Sequence, residues 1–143
     1  MPYAYAEDIA VSDVAFHAWG PTLDDTFREA AEATMHAMVD DLDSIAAVEQ
    51  RSFELRDEHL DLLLLQFLQE FVYYKDAERL LLRVQDVRIT REAHGFTLHA
   101  HAAGERIDLT KHELGADVKA VTLYRLQVEQ TADGWKATVI LDV

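Results

Sequence analysis

Hydrophobic positions alternate with period two toward both ends of the chain and recur at helical spacing in two segments between them. Over 118–129, Val118, Ala120, Thr122, Tyr124, Leu126 and Val128 share one side against Lys119, Arg125 and Gln127. Over 135–143, Trp135, Ala137, Val139 and Leu141 share a side against Lys136, Thr138 and Asp142. Such alternation is the mark of strands buried on one face. Asp133-Gly134 lies between the two runs, and glycine accepts the positive φ that tight hairpin turns demand. The pattern predicts a C-terminal hairpin whose last strand ends in the sheet, with Asp142 beside the terminal carboxylate of Val143. Residues 3–19 read as one or two short strands, with Val14, Phe16 and Ala18 on one side, stopped by Gly20-Pro21.

The first helical segment opens at Thr22. Asp25 three residues on completes an approximate capping box, and Asp24 and Asp25 sit at the positive end of the helix dipole. Leu23, Phe27, Ala30, Ala31, Thr34 and Met38 form its stripe, and its alanines predict close packing on a sheet. His36 lies at the stripe edge and reads as a partly buried structural histidine. Asp40-Asp41 closes the segment. Residues 45–55 predict a strand. Leu60, Leu63, Leu64, Phe67, Leu68 and Phe71 then make one face of a central helix over 60–74, widened by Leu62, Leu65 and Val72. Residues 75–78 read as a connection, and 79–90 and 95–103 as two more strands. This order predicts an α+β fold over 1–143: a single two-layer domain with a mixed or antiparallel sheet and two main helices.

Composition narrows the function. The chain has 143 residues, enough to bury about two-thirds of its unfolded surface. It contains no cysteine, which excludes disulfides, thiolate nucleophiles and zinc–thiolate sites. Its 27 acidic and 13 basic side chains leave a net charge of −14. That surface repels phosphate backbones and suits cations and basic proteins, so direct nucleic-acid binding is not expected. No apolar run reaches the ~18–20 residues of a membrane span, and no basic-then-apolar leader opens the chain. A cytoplasmic protein without a membrane partner is expected.

Two aspartates occupy strand ends flanked by apolar residues: Asp13 before Val14-Ala15-Phe16 and Asp142 after Val139-Ile140-Leu141. Where the first and last strands are neighbours, these carboxylates and that of Val143 converge. Like charges about 4 Å apart repel by roughly 4 kcal/mol at an effective dielectric near 20, so such a group calls for a cation or protons. Hard oxygen donors favour calcium, magnesium or manganese. Solvated strand-end aspartates are the alternative. His99 and His101 could offer a zinc pair from one strand face, though an exposed pair is the simpler reading. His112-Glu113 lacks the second histidine of a metalloprotease motif. No nucleophile elbow and no phosphate-binding glycine loop is present.

The run His112-Glu113-Leu114-Gly115, then Val118-Lys119-Ala120-Val121-Thr122-Leu123-Tyr124, Gly134-Trp135 and Val139-Ile140-Leu141-Asp142-Val143, closely resembles the archease family. So do Ser12-Asp13-Val14-Ala15-Phe16, Gly20, Thr22-Leu23, Phe27 and the leucine-rich helix around 64–71. The resemblance covers essentially the whole chain. It implies a non-enzymatic helper of the GTP-dependent RNA ligase that joins tRNA splicing halves and repairs RNA. Such a helper promotes ligase guanylylation and repeated turnover. It further implies a divalent-metal site, calcium first and magnesium or manganese next, formed here by Asp13, Asp142 and the Val143 carboxylate. Family members often carry His-Thr-Ala-Asp before the first strand. Here Asp8-Ile9-Ala10-Val11-Ser12-Asp13 has no histidine, and Asp8 could supply some of the missing polarity. A small metal-dependent hydrolase using the same aspartates with His17 or His112 as general base, or an acidic interaction module with a structural metal, are the alternatives.

Overall fold

The named strands pair antiparallel throughout, and they form two sheets rather than one. The computed structural model describes residues 2–6 and 13–143. In chain order the elements are β1 (Tyr3–Tyr5), β2 (Val14–Gly20), α1 (Leu23–Met38), a 3₁₀ turn (Leu42–Ser44), β3 (Glu49–Asp57), α2 (Leu60–Glu78), β4 (Leu80–Glu92), β5 (Gly95–Arg106), β6 (Ala120–Val121), β7 (Gln127–Thr131) and β8 (Gly134–Asp142). One sheet runs β1-β2-β8-β6, with β7 also pairing β8; the other runs β3-β5-β4. The α+β class with two helices holds as the alternation and helical stripes require. Sheet membership depends on which strands meet, which the pattern along a chain does not carry.

α1 starts where its cap predicts: the Asp25 amide donates to Thr22 Oγ1 at 3.1 Å. Ala30, Ala31 and Ala33 are buried, so the helix axis lies close to the strands it covers. Asp24 also accepts from the Ile89 amide at 2.9 Å, which ties the first turn of α1 to β4. α2 is the most buried helix face, with Leu63, Leu64, Phe67, Leu68 and Phe71 fully enclosed. Each contributes roughly 1.5–3 kcal/mol by burial. Phe67 meets Phe71 edge-on at 5.2 Å and stacks near Phe27 of α1 at 6.2 Å. One cluster joins these side chains to Phe53 and Leu98 of one sheet and Phe16 and Leu141 of the other.

α2 does not stop at Tyr74. It continues through Lys75-Asp76-Ala77-Glu78 to a left-handed cap at Arg79, φ 52°. Lys75 makes this possible: its stem is buried while its ammonium is held by Asp117 at 2.9 Å, Asp76 at 3.0 Å and the Val118 carbonyl at 2.8 Å.

The strand expected over 118–129 is also divided. β6 and β7 are separate, and Leu123 and Tyr124 between them are exposed. Val121 lies opposite Leu141 and Gln127 opposite Thr138. Six residue steps on one side therefore match three on β8, and three residues are extruded. The extrusion also corrects parity: Val121 and Val128 lie opposite the buried Leu141 and Ala137, which an unbroken strand could not achieve with both. The hairpin bend follows one residue earlier than expected, at Ala132-Asp133. Gly134 opens β8 with φ 153°, and a Cβ there would sit 2.2 Å from the Gly20 carbonyl oxygen.

The His112-Glu113-Leu114-Gly115 run docks on the end of α1. The Gly115 and Ala116 amides donate to the Met38 and Ala37 carbonyls at 2.8 Å each, satisfying groups a helix end leaves open. His112 is buried, accepting from the Asp108 amide at Nδ1 (3.0 Å) and therefore donating from Nε2 to Glu105 (3.1 Å). Glu105 also accepts from the Ala46 amide and the Lys111 ammonium, each at 2.6 Å. The Ala46 amide first, then Lys111, hold its carboxyl well down, to about 2. Its folded pKa is depressed, so the stabilisation is present above about pH 4.5 and is lost as pH falls toward 2. On the order of 2–3 kcal/mol is involved. Urea denaturation at pH 7 and pH 3 should show the parent losing more stability than Glu105→Gln over that interval. Equal losses would remove Glu105 as the source.

Candidate metal centre

The site is built by the pairing of the first long strand with the last. β2 and β8 run antiparallel with Val14 opposite Leu141 and Phe16 opposite Val139. One step beyond Val14, the same register sets Asp13 opposite Asp142. The side on which the two carboxylates lie follows from parity. Phe16 and Ala18 of β2, and Ala137, Val139 and Leu141 of β8, are buried against the helices. Asp13 and Asp142 belong to the other parity, with Ala15 and Ile140, which are also buried, and Asp13 borders a groove that His36 and Ala37 of α1 share.

Hydrogen bonding sets their spacing. The Ala15 carbonyl bonds the Ala6 amide, and the Asp142 carbonyl accepts from the Lys119 amide at 2.8 Å, so both residues turn their backbone groups away from the β2–β8 seam. Continued one step past Val14, the ladder would put Asp13 and Asp142 at a non-hydrogen-bonded position, the kind at which facing Cα atoms approach to about 4.5 Å. Asp13 is half-buried and Asp142 exposed. Among the described residues no Lys, Arg or His pairs with either carboxylate. Two facing oxygen donors without a counter-cation suit a hard divalent ion. The side-chain set stops at two: no group of three or more His, Cys, Asp or Glu is placed to hold a metal among the described residues. Further oxygens have to come from elsewhere. Val143 itself is half-buried, packed on the core edge.

The other candidates are not brought to this place. His17 shares the outward face of β2, four residues from Asp13 and so about 13 Å along the strand. Its Nδ1 lies 3.0 Å from Thr138 Oγ1. His112 is enclosed and fully engaged with Asp108 and Glu105, which removes it as a general base. His99 and His101 point out of the other sheet toward different carboxylates, Glu54 at 3.8 Å and Asp86 at 2.9 Å, and do not converge. Asp8 and Ser12 lie outside the described residues.

Two neighbours were not legible as such. In the sequence Lys119 reads only as an outward strand residue, yet its amide donates to the Asp142 carbonyl. His36 has the structural bond expected of it, 2.8 Å from Nδ1 to the Tyr3 hydroxyl, and with Tyr5 and Asp13 it also lines a groove of about 410 Å³. The helical stripe shows His36 at an edge but not which strand that edge meets.

Residues 3–143 match the Archease protein family (MTH1598/TM1083). The chain belongs to the archease family. It is 33% identical over 142 residues to the protein archease of Methanosarcina barkeri, covering 99% of this chain and 95% of that one. Among solved structures, Methanobacterium thermoautotrophicum protein 1598 superposes with a TM-score of 0.85 at 30% identity, over 99% of both chains. An archease of Thermotoga maritima, described as a possible chaperone, shares the fold at a TM-score of 0.59 and 19% identity, over 94% of this chain and 93% of that one. As in the archease fold at large, two helices lie with two antiparallel sheets. No helix among the described residues is long and apolar enough to cross a membrane.

Proposed function

We propose that this archease serves as a protein cofactor of a GTP-dependent RNA ligase, promoting its guanylylation and repeated turnover in tRNA splicing and RNA repair. In this reading Asp13, Asp142 and the main-chain carboxylate of Val143 hold one divalent cation, calcium first and magnesium or manganese next. The bound ion neutralises the gathered carboxylates and presents a fixed positive charge at the sheet face. The chain itself catalyses no step; it binds the ligase and stabilises the form that accepts the guanylyl group. Its net charge of −14 steers it to a basic protein and away from the RNA.

The observation that supports this reading is the β2–β8 register, which ends at Val14 opposite Leu141 and, continued one step, brings Asp13 to Asp142 with no counter-cation among the described residues. Family membership supports the partner. The test is ligase turnover at limiting ligase, with and without this protein, in calcium and after chelation. RNA joined per ligase should exceed a single round only when protein and cation are both present. A ligase indifferent to the protein overturns the reading. So does phosphodiester hydrolysis by the isolated protein with Mn²⁺ that disappears in Asp13→Ala, which would establish an enzyme instead.

A further inference from the structure

The three-residue extrusion between β6 and β7 is the place where this fold departs from what its own strands would form. Its tip places Leu123 and Tyr124 side by side in solvent, 64% and 67% exposed. Arg125 follows in the left-handed region at φ 57°, a conformation that costs a non-glycine residue on the order of 1 kcal/mol. The turn is closed by a single backbone bond, from the Leu126 amide to the Leu123 carbonyl at 3.2 Å. Parity requires some extrusion here, but it does not require two large apolar side chains at its tip. Single exposed apolar residues are ordinary, whereas an adjacent pair on a turn held by both neighbouring strands is a preformed anchor.

We infer that Leu123 and Tyr124 are the docking anchor for the partner ligase, inserting into an apolar cleft on that protein. The inference rests on the function proposed above and adds the surface through which it works. Continuity argues for the same partner: the extrusion leaves directly from β6, whose Ala120 is paired with Asp142. Leu123 follows Ala120 by three residues, so a macromolecule seated on the carboxylate pair has the loop within reach. The surroundings match an interface with an apolar centre and a polar rim. Beside the tip, Arg125, Gln127, Glu129, Lys136 and Thr138 line an open groove of about 690 Å³. Charge decides against a second copy as occupant, because two chains of −14 would be brought face to face. The chain's net charge favours a partner of net positive charge.

The experiment uses the full chain with Leu123→Ser, Tyr124→Ser and the double variant. Both side chains are solvent-exposed, so the melting temperature and the calcium-induced rise in it should match the parent. The concentration giving half-maximal ligase stimulation should rise about tenfold for each single variant and further for the double one. The parent's value should also rise with salt while its calcium response stays. Stimulation by the double variant at the parent's concentration overturns the anchor and leaves the proposed function standing. A parent that dimerises in sedimentation and becomes monomeric on double substitution overturns it too, by showing a second copy as the occupant. A ligase indifferent to the parent removes the function and the anchor together.

Discussion

Gly104→Ala should lower the melting temperature by roughly 6–12 °C, the largest stability effect expected of a single methyl group in this chain. Gly104 is buried in β5 opposite Leu82, and its own carbonyl accepts from the Val48 amide at 3.0 Å. A Cβ there would fall 1.7 Å from the Leu81 carbonyl oxygen and 2.7 Å from its carbon. The obstacle is the backbone of the neighbouring strand β4, not the end of a side chain that could swing away. Relief requires β4 to separate from β5 or the β3 pairing to slip, and overpacking that moves backbone belongs at the top of the usual range, about 3 kcal/mol. For a chain of this size each kcal/mol corresponds to roughly 2–4 °C. The paired control is Gly115→Ala, where a Cβ would meet one oxygen, that of Ala37, at 2.7 Å in an exposed loop. Its loss should be smaller. Thermal unfolding followed by circular dichroism decides the point, and equal melting temperatures for Gly104→Ala and the parent would show that β4 can move.

What was legible in the chain follows from what each pattern counts. Both helices were, because stripes of period 3.6 and a Thr22 cap are local. The long strands were, because their alternation survives wherever one face is buried. The division of 118–129 was not: Val118, Ala120, Thr122, Tyr124, Leu126 and Val128 alternate perfectly, but alternation counts residues along one strand and not the register against the next. Three extra residues against β8 are visible only in the pairing. β4 holds a smaller case of the same kind. Its register shifts between Val84 and Asp86, so the inward set passes from Leu82 and Val84 to Val87 and Ile89. Lys75 hid the end of α2 because a buried lysine looks polar in sequence, while its partners Asp117 and Val118 lie some forty residues away. The convergence of Asp13 and Asp142 depended on β2 and β8 being neighbours, and the antiparallel pairing makes them so as far as Val14 opposite Leu141.

Asp13→Asn and Asp142→Asn should each remove stimulation of the ligase by about 100-fold or more, with the fold intact. Losing even an outer partner of a metal ligand costs 10–100-fold, so losing one of two side-chain ligands belongs at or beyond the top of that range. Asparagine keeps the shape of the side chain and removes one of two facing negative charges. The metal-free variants should therefore be as stable as the parent or slightly more so. Calcium separates the two states. At a hundred times its dissociation constant it stabilises the parent by about 2.7 kcal/mol, a rise of roughly 5–10 °C, and either variant should lose that rise. His101→Ala is the control, since its imidazole faces Asp86 on the other sheet and touches neither carboxylate. A chain extended past Val143 by a short glycine–serine tail tests the third ligand, because the main-chain carboxylate moves away while both aspartates stay. If both aspartate variants stimulate the ligase as the parent does, the cation has no part in the function. If they lose stimulation but keep the calcium-induced rise, the two carboxylates meet the ligase directly and the ion is held elsewhere.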